Sequence, residues 1–188
     1  PTADLITAPD IIFFWVARMI ISGYELRGDK PFNNVYFTGL VRDKQRRKMS
    51  KSLGNSPDPL ELIAQYGADG VRTGMLFSSP AGNDLPYDDK LVEQGRNFAN
   101  KIWNAGRYVI GAMEKAPAKA AGDPQWSLAD SYIWARCQQL IRDVERLFGT
   151  YQYGEAGRQI YDFFWSEFAD WYVEISKLQL NQGGDTAF

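Results

Sequence analysis

The sequence predicts a mainly α-helical protein in which a small α/β piece is followed by an α-helical bundle. Three observations carry that expectation. Near the N-terminus one short run, NNVYFTGLV (residues 33–41), is rich in β-forming residues and lacks a helical period. From residue 88 onward apolar residues instead recur every three to four positions. Between these halves lies a basic decapeptide, RRKMSKSLGN (residues 46–55), followed by an acidic stretch.

Taken in order, APDIIFFWVARMIISG (residues 8–23) reads as a helix with Asp10 as its N-cap and Gly23 as its stop. Its apolar residues run almost all round, which predicts a buried helix. The strand over 33–41 follows, and the charged loop follows the strand. SPDPLELIAQYG opens with Asp58 as cap and Pro59 at the first helical position, and it closes at Gly67. ADGVRTGMLFSS (residues 68–79) reads as a further helix, and residues 80–88 as a turn-rich connection. Residues 88–115 form a long amphipathic helix with Leu91, Phe98, Ile102, Ala105, Val109 and Ala112 on one face. APAKAAGDPQ reads as a flexible crossing. Helices over 132–148 and 155–180 complete the bundle, the last with Ile160, Phe164, Phe168, Trp171, Ile175 and Leu178 in register. The chain thus divides into residues 1–55, a connector over 56–95, and a bundle over 96–188.

Composition bounds the function. Six Trp, ten Tyr and eleven Phe, with 45% hydrophobic residues overall, exclude a disordered chain. A single cysteine, Cys137, excludes an internal disulfide and a cysteine-rich zinc site, and suits a reducing, cytosolic setting. No apolar run reaches the roughly 18 residues of a membrane span, and no secretory signal opens the chain. The start at Pro1 and the polar end NQGGDTAF read as an excised piece of something longer. There is no histidine, so an imidazole base or ligand would have to come from outside these residues. Net charge is −2, yet residues 42–51 hold six basic side chains against one Asp. The positive charge is local.

On composition alone such a run is most often a solvated edge. It is not a P-loop, because the G-x-x-x-x-G-K-[ST] spacing is missing. The order Lys48-Met49-Ser50-Lys51-Ser52, straight after a strand and followed by Gly54, resembles the KMSKS signature of class I aminoacyl-tRNA synthetases. The segments DIIFFWVARM, GLVRDKQRRKMSKSLGNSPDPLELIAQYGADGVR, GRNFANKIWNAGRYV and YDFFWSEFADWYVEISK extend the resemblance over nearly the whole chain. They are most similar to the valyl members; isoleucyl and leucyl members share the middle motifs.

The resemblance implies the C-terminal end of a Rossmann catalytic domain at 1–55, a stem-contact connector at 56–95 and part of an anticodon-binding domain at 96–188. It implies activation of valine by ATP, with Mg²⁺ arriving on the ATP, and transfer of valine to tRNA(Val) in the cytoplasm. No protein-bound metal, DNA or membrane partner is expected. Pyrophosphate leaves ATP in activation, so negative charge grows on the β- and γ-phosphates as the bond breaks. Lysines over those oxygens accelerate the step only if they bind the transition state better than the ground state. By the resemblance Lys48 and Lys51 take that role, Met49 lies by the adenine, Ser50 and Ser52 shape the turn, and Gly54 lets the loop move. Asp10 is either a ribose-contacting carboxylate or a plain N-cap. Trp15 is either a core aromatic or a wall of the amino-acid pocket.

Some residues depart from the family pattern. Thr38 precedes Gly39 where a histidine is common, Arg47 stands where a glycine is common, and Ala8-Pro9 precedes Asp10. The family's two-histidine signature cannot lie in this chain, so the resemblance implies half a catalytic site.

On the 88–115 helix, Arg96, Asn97, Asn100, Asn104 and Arg107 fall opposite Phe98, Ile102 and Val109. A polar helix back explains them without function, but Asn is a mediocre helix former and is not needed there for solubility. Matched to the family, the five read as a tRNA-contacting stripe. Glu167, Asp170 and Glu174 sit at helical spacing and read as a solvated face or as partners of Arg158 and Lys177. Two rivals stay open: an isoleucyl or leucyl enzyme, and a non-catalytic RNA-binding module.

Overall fold

The computed structural model describes residues 2–78, 83–115 and 126–182. The 116–125 crossing, the start of the 80–88 connection and the C-terminal tail lie wholly or largely outside these residues. The fold is mainly helical, with an α/β piece at the N-terminus as expected.

Strand β1 (Asp4–Thr7) was not legible in the sequence; it pairs in parallel with β2 (Asn34–Phe37), from Asp4 opposite Asn34 to Thr7 opposite Phe37. Parallel neighbours require a crossover, and helix α1 (Ala17–Arg27) supplies it. The expected single strand over 33–41 is broken. β2 ends at Phe37, and β3 (Val41–Arg42) pairs in parallel with β4 (Leu85–Pro86). Gly39 marks the break, because a Cβ there would lie 1.7 Å from the Asn83 carbonyl oxygen.

The expected helix over 8–23 is corrected in three ways. It is a 3₁₀ turn (Pro9–Ile11), then a π turn (Ile12–Val16), then α1. Asp10 does not cap it. Gly23 does not stop it either; α1 runs on to Gly28, whose left-handed φ of 68° ends it. Gly23 instead permits close approach, since a Cβ would meet the Asp29 carbonyl oxygen and Pro31 Cδ, both at 2.9 Å. The segment is not buried: Phe13 is 86% exposed and only Val16 is buried. Much of its apolar surface, including Phe13, Phe14 and Trp15, finds no cover among the described residues.

Helices α2 (Pro59–Tyr66) and α3 (Ala68–Phe77) lead to α4 (Asp89–Met113). Asp58 caps α2 by accepting from the Leu60 amide at 2.8 Å. α3 and α4 touch backbone to backbone: a Cβ at Gly95 would sit 2.3 Å from the Gly70 carbonyl oxygen and 2.7 Å from the Gly74 nitrogen. The buried face of α4 is Val92, Gly95, Phe98 and Ala105. Ile102, placed on the apolar face from sequence, is 44% exposed.

α5 (Leu128–Gly149) begins earlier than the periodicity predicts, because Ser127 and Asp130 form a capping box. The Ser127 hydroxyl accepts from the Asp130 amide at 3.2 Å, and the Asp130 carboxylate accepts from the Ser127 amide at 2.7 Å. Ser127→Ala should lower stability by about 1 kcal/mol, read as a lower urea midpoint at unchanged slope.

The expected final helix is α6 (Tyr153–Asp162), a π stretch (Phe163–Tyr172) and α7 (Val173–Gln182). The wider π turns rotate the buried face relative to an uninterrupted α period. Phe163, Ala169 and Val173 are therefore inside, whereas Trp171 is 70% exposed. The core joins Phe98 to Phe77, Tyr161 and Phe164 with ring centroids 5.0–5.8 Å apart. The bundle meets the small sheet where the Tyr151 hydroxyl donates to Asp4 at 2.6 Å.

The acidic trio is a set of inter-element and local pairs. Glu167 takes Arg136 in a two-pronged contact (2.9 and 2.7 Å), Asp170 takes Lys101 (2.6 Å), and Glu174 takes Lys177 (2.5 Å). Arg158, expected to serve that trio, pairs with Glu155 instead, one turn before it on α6.

Candidate active-site loop

Residues 43–55 are built as two successive turns hung from β3. The platform is fixed first. Leu85 donates its amide to the Leu40 carbonyl at 2.8 Å, and Tyr87 to that of Arg42 at 2.8 Å. Asp84 accepts from the Leu40 amide at 3.2 Å and pairs with the Arg42 guanidinium, which holds its carboxyl below the usual range.

The first turn closes where the Asp43 amide donates to the Arg47 carbonyl (2.9 Å) and the Arg46 amide to that of Asp43 (2.8 Å). Arg46 takes the left-handed φ of 64°, so Arg47, standing where relatives often have glycine, escapes strain. Its guanidinium instead braces Asp43, with Nε at 2.8 Å and Nη2 at 2.7 Å.

Asp43 is the one buried charged side chain among the described residues. One carboxylate oxygen accepts the amides of Gln45 (3.0 Å) and Arg47 (2.8 Å); the other accepts Asn55 Nδ2 (2.9 Å) and Arg47 Nε. The Asn55 contact, followed by those of Arg47, holds the Asp43 carboxyl down to about 2. A depressed acid stabilises the loop at all pH above its ordinary value of 3.8, and that contribution disappears as pH falls through about 2. At neutral pH the anchor is fully charged.

Lys48 bridges back to Arg42, and Met49 donates its amide to the Val41 carbonyl at 3.3 Å. The second turn is a 3₁₀ turn over Lys51–Leu53. Ser50 caps it by accepting from the Ser52 amide (3.3 Å), the two hydroxyls lie 2.7 Å apart, and Gly54 closes it with a φ of 61°. Asn55 then reaches back, accepting from the Ser50 amide at 2.9 Å.

The two lysines differ. Lys48 Nζ is paired with Asp10, and that contact lowers the Asp10 carboxyl. The fold thus brings Asp10, 38 residues earlier, to the rim of the loop. Lys51 is exposed on its turn and makes no ion pair among the described residues. Met49 and Ser50 are half-buried, and Ser52 is exposed. Trp15 lies on the π turn after Asp10, 59% exposed. Arg96, Asn97, Asn100, Asn104 and Arg107 are all exposed on α4, on a separate element; none makes a side-chain hydrogen bond or ion pair among the described residues.

Sequence reading missed Asp43, Asn55 and Asp84 as parts of this site. The available signal was a short polar side chain at each end of a turn-rich run, the residue type that bonds nearby backbone.

Residues 1–88 match the family described as "tRNA synthetases class I (I, L, M and V)", and residues 130–187 the "Anticodon-binding domain of tRNA ligase". The valine–tRNA ligase of Phocaeicola vulgatus is 57% identical over all 188 residues, which are 21% of its length. That of Bacteroides fragilis is 58% identical over 177 residues, 94% of this chain and 20% of the relative. The chain therefore spans about a fifth of the length of the curated relatives it matches. Among solved structures, methionyl-tRNA synthetase of Mycobacterium tuberculosis with methionyl-adenylate superposes with TM-score 0.79 at 22% identity, covering 100% of this chain and 37% of that one. The leucyl enzyme of Agrobacterium radiobacter, in a ternary complex with tRNA, gives 0.73 at 19% identity, over 98% of this chain and 24% of that one. These two establish the shared fold. With 57% identity along the whole chain and the two family matches over residues 1–88 and 130–187, the chain belongs to the class I tRNA synthetases, as a segment it shares with the valine–tRNA ligases.

Proposed function

We propose that this chain is the segment of a valine–tRNA ligase that supplies the mobile phosphate-binding lysines and part of the tRNA-binding surface. Residues 1–55 close the catalytic domain, 56–95 form the stem-contact connector, and 96–188 begin the anticodon-binding bundle. The observation that carries the reading is the built loop over 43–55, which presents Lys51 without a counter-ion among the described residues.

In the reaction, the valine carboxylate attacks the α-phosphorus of MgATP. Valyl-adenylate forms, the bond to the β-phosphate oxygen breaks, and pyrophosphate carries the charge away. Valine then passes to the 3′ end of tRNA(Val), releasing AMP. Lys51 meets the charge building on the leaving phosphates, as a compact ammonium on a flexible stem. Lys48 joins it by exchanging Asp10 for phosphate, which frees the Asp10 carboxylate to contact the ribose. Met49, Ser50 and Ser52 line the nucleotide side of the loop, and Trp15 offers an apolar wall to the amino acid. The reading places the reaction in the cytoplasm, where tRNA is charged. Among the described residues no helix is long and apolar enough to cross a membrane.

Amino-acid-dependent ATP–pyrophosphate exchange by the full-length protein tests this. Valine should support exchange, and isoleucine and leucine far less. Exchange driven by isoleucine or leucine in preference to valine returns the assignment to those enzymes, and none at all supports the RNA-binding module.

The α4 stripe has its own test. Asn100→Ala/Arg107→Ala should cost within about 1 kcal/mol of stability, because both side chains are exposed and make no side-chain hydrogen bond or ion pair among the described residues. tRNA binding should weaken, and the log–log salt dependence should flatten by up to about one unit as one cation is lost. Unchanged tRNA affinity in the folded variant makes the stripe an ordinary solvated helix back.

A further inference from the structure

Asn55 occupies an unusual place in the loop. Its Oδ1 accepts the amide of Ser50, the residue that caps the turn bearing Lys51. Its Nδ2 donates to Asp43 at 2.9 Å and lies 3.4 Å from the Lys48 carbonyl. One side-chain amide thus contacts the backbone next to both lysines. It is itself tied to the one buried carboxylate of the described residues, whose other oxygen accepts two amides and whose shared oxygen also accepts from the Arg47 guanidinium. No backbone hydrogen bond links the first turn (residues 43–47) to the second (residues 50–54). Apart from their common anchorage on β3, through the Arg42–Lys48 bridge and the Met49 amide, the side-chain pair is what joins them.

We infer that Asp43 and Asn55 are a pair of positioning residues that hold the two turns of the lysine loop in one geometry, so that Lys48 and Lys51 converge on the same phosphates. Neither touches substrate. Asp43 is buried, and Asn55 is committed to the protein through both ends of its amide. A flexible stem can reach a phosphate from many backbone positions, but only a preorganised donor favours the transition state without reorganising at the moment of reaction. The pair is therefore expected to affect kcat for activation and leave valine binding alone. The inference rests on the phosphate-loop reading given above.

The test is an exchange of roles between the partners in the full-length protein. Asn55→Asp sets a second carboxylate against Asp43 and removes the donor. Valine-dependent pyrophosphate exchange should fall by roughly tenfold or more, the rate equivalent of one hydrogen bond to a charged group. The KM for valine and the affinity for tRNA should stay put. Asp43→Asn/Asn55→Asp restores a donor facing an acceptor, with the new carboxylate accepting from Ser50, although Arg47 Nε loses the oxygen it shared, so the recovery is partial. It should recover several-fold of the lost rate, the non-additivity expected of residues in contact or in one hydrogen-bond network. Wild-type exchange in Asn55→Asp overturns the inference. So does a folded double variant no faster than the worse single variant.

A second readout keeps the inference separate from the functional reading. Amide hydrogen exchange over residues 43–55 should be faster in Asn55→Asp and slow again in the double variant. If the wild-type protein shows no pyrophosphate exchange, the functional reading fails. Unchanged amide protection in Asn55→Asp makes the pairing itself fail.

Discussion

Lys51→Ala in the full-length protein is expected to lower the rate of valine activation by roughly 10²–10³, the cost of removing one preorganised transition-state donor. The expectation follows from the contrast between the two lysines. Lys48 already has Asp10 as partner, whereas Lys51 stands on a capped 3₁₀ turn with no carboxylate beside it among the described residues. A cation without a protein counter-ion is the one whose charge is fully available to a leaving pyrophosphate. Because the side chain meets phosphate and not valine, kcat should carry the loss while the KM for valine barely moves. The opposite pattern, a large rise in that KM at unchanged kcat, would place Lys51 at the amino-acid pocket.

The largest stability effect is expected at Gly95. Alanine in a helix interior is worth about 1 kcal/mol over glycine. At Gly95, however, the added Cβ would lie 2.3 Å from the Gly70 carbonyl oxygen and 2.7 Å from the Gly74 nitrogen, both backbone atoms of α3 that cannot swing aside. Overpacking of that kind costs about 1–3 kcal/mol and sometimes more, so the clash outweighs the propensity gain. Gly95→Ala should lower the melting temperature by several degrees. The same substitution at Gly106, on the same helix with nothing within 4 Å of its Cβ, should raise it by about 2–4 °C. Thermal unfolding followed by circular dichroism reads both. A shift of the same sign at the two positions would mean that α3 and α4 do not meet at Gly95.

Local chemistry made some of the fold legible in the sequence. Asp58 and Pro59 open α2 because a cap and a fixed φ act within one turn. The start of α4 was legible from its apolar period, and the structure adds Asp88 as the cap, accepting from the Lys90 amide at 3.2 Å. What stayed hidden depends on partners distant in the chain. β1 is four residues long and takes its identity from β2, some 30 positions later. Gly23 looks like a helix stop until Asp29 and Pro31 pack over it. The register of the final helix fails at the π stretch, where an aromatic-rich sequence looks regular at the α period. The capping box of α5 escaped notice because it uses Asp130 where Glu or Gln is the usual signal.

The loop divides along the same line. Its lysines, serines and Gly54 stand out as a motif, because motif residues lie side by side in the chain. Its brace does not, because Asp43 and Asn55 are 12 residues apart and meet only through the fold. The Asp10–Lys48 contact, 38 residues apart, is of the same kind.

The central claim is that this loop places its lysines on the phosphates of ATP, and an acyl-phosphate analogue of ATP tests it most directly. Such a probe transfers its acyl group to whichever amine lies beside the terminal phosphates, and peptide mapping identifies the lysine. In the full-length protein the label should fall on Lys51, or on Lys48 once it has left Asp10, and excess ATP with valine should suppress it. Labelling confined to Lys44 or Lys90, or label on Lys51 that ATP does not protect, would contradict the account.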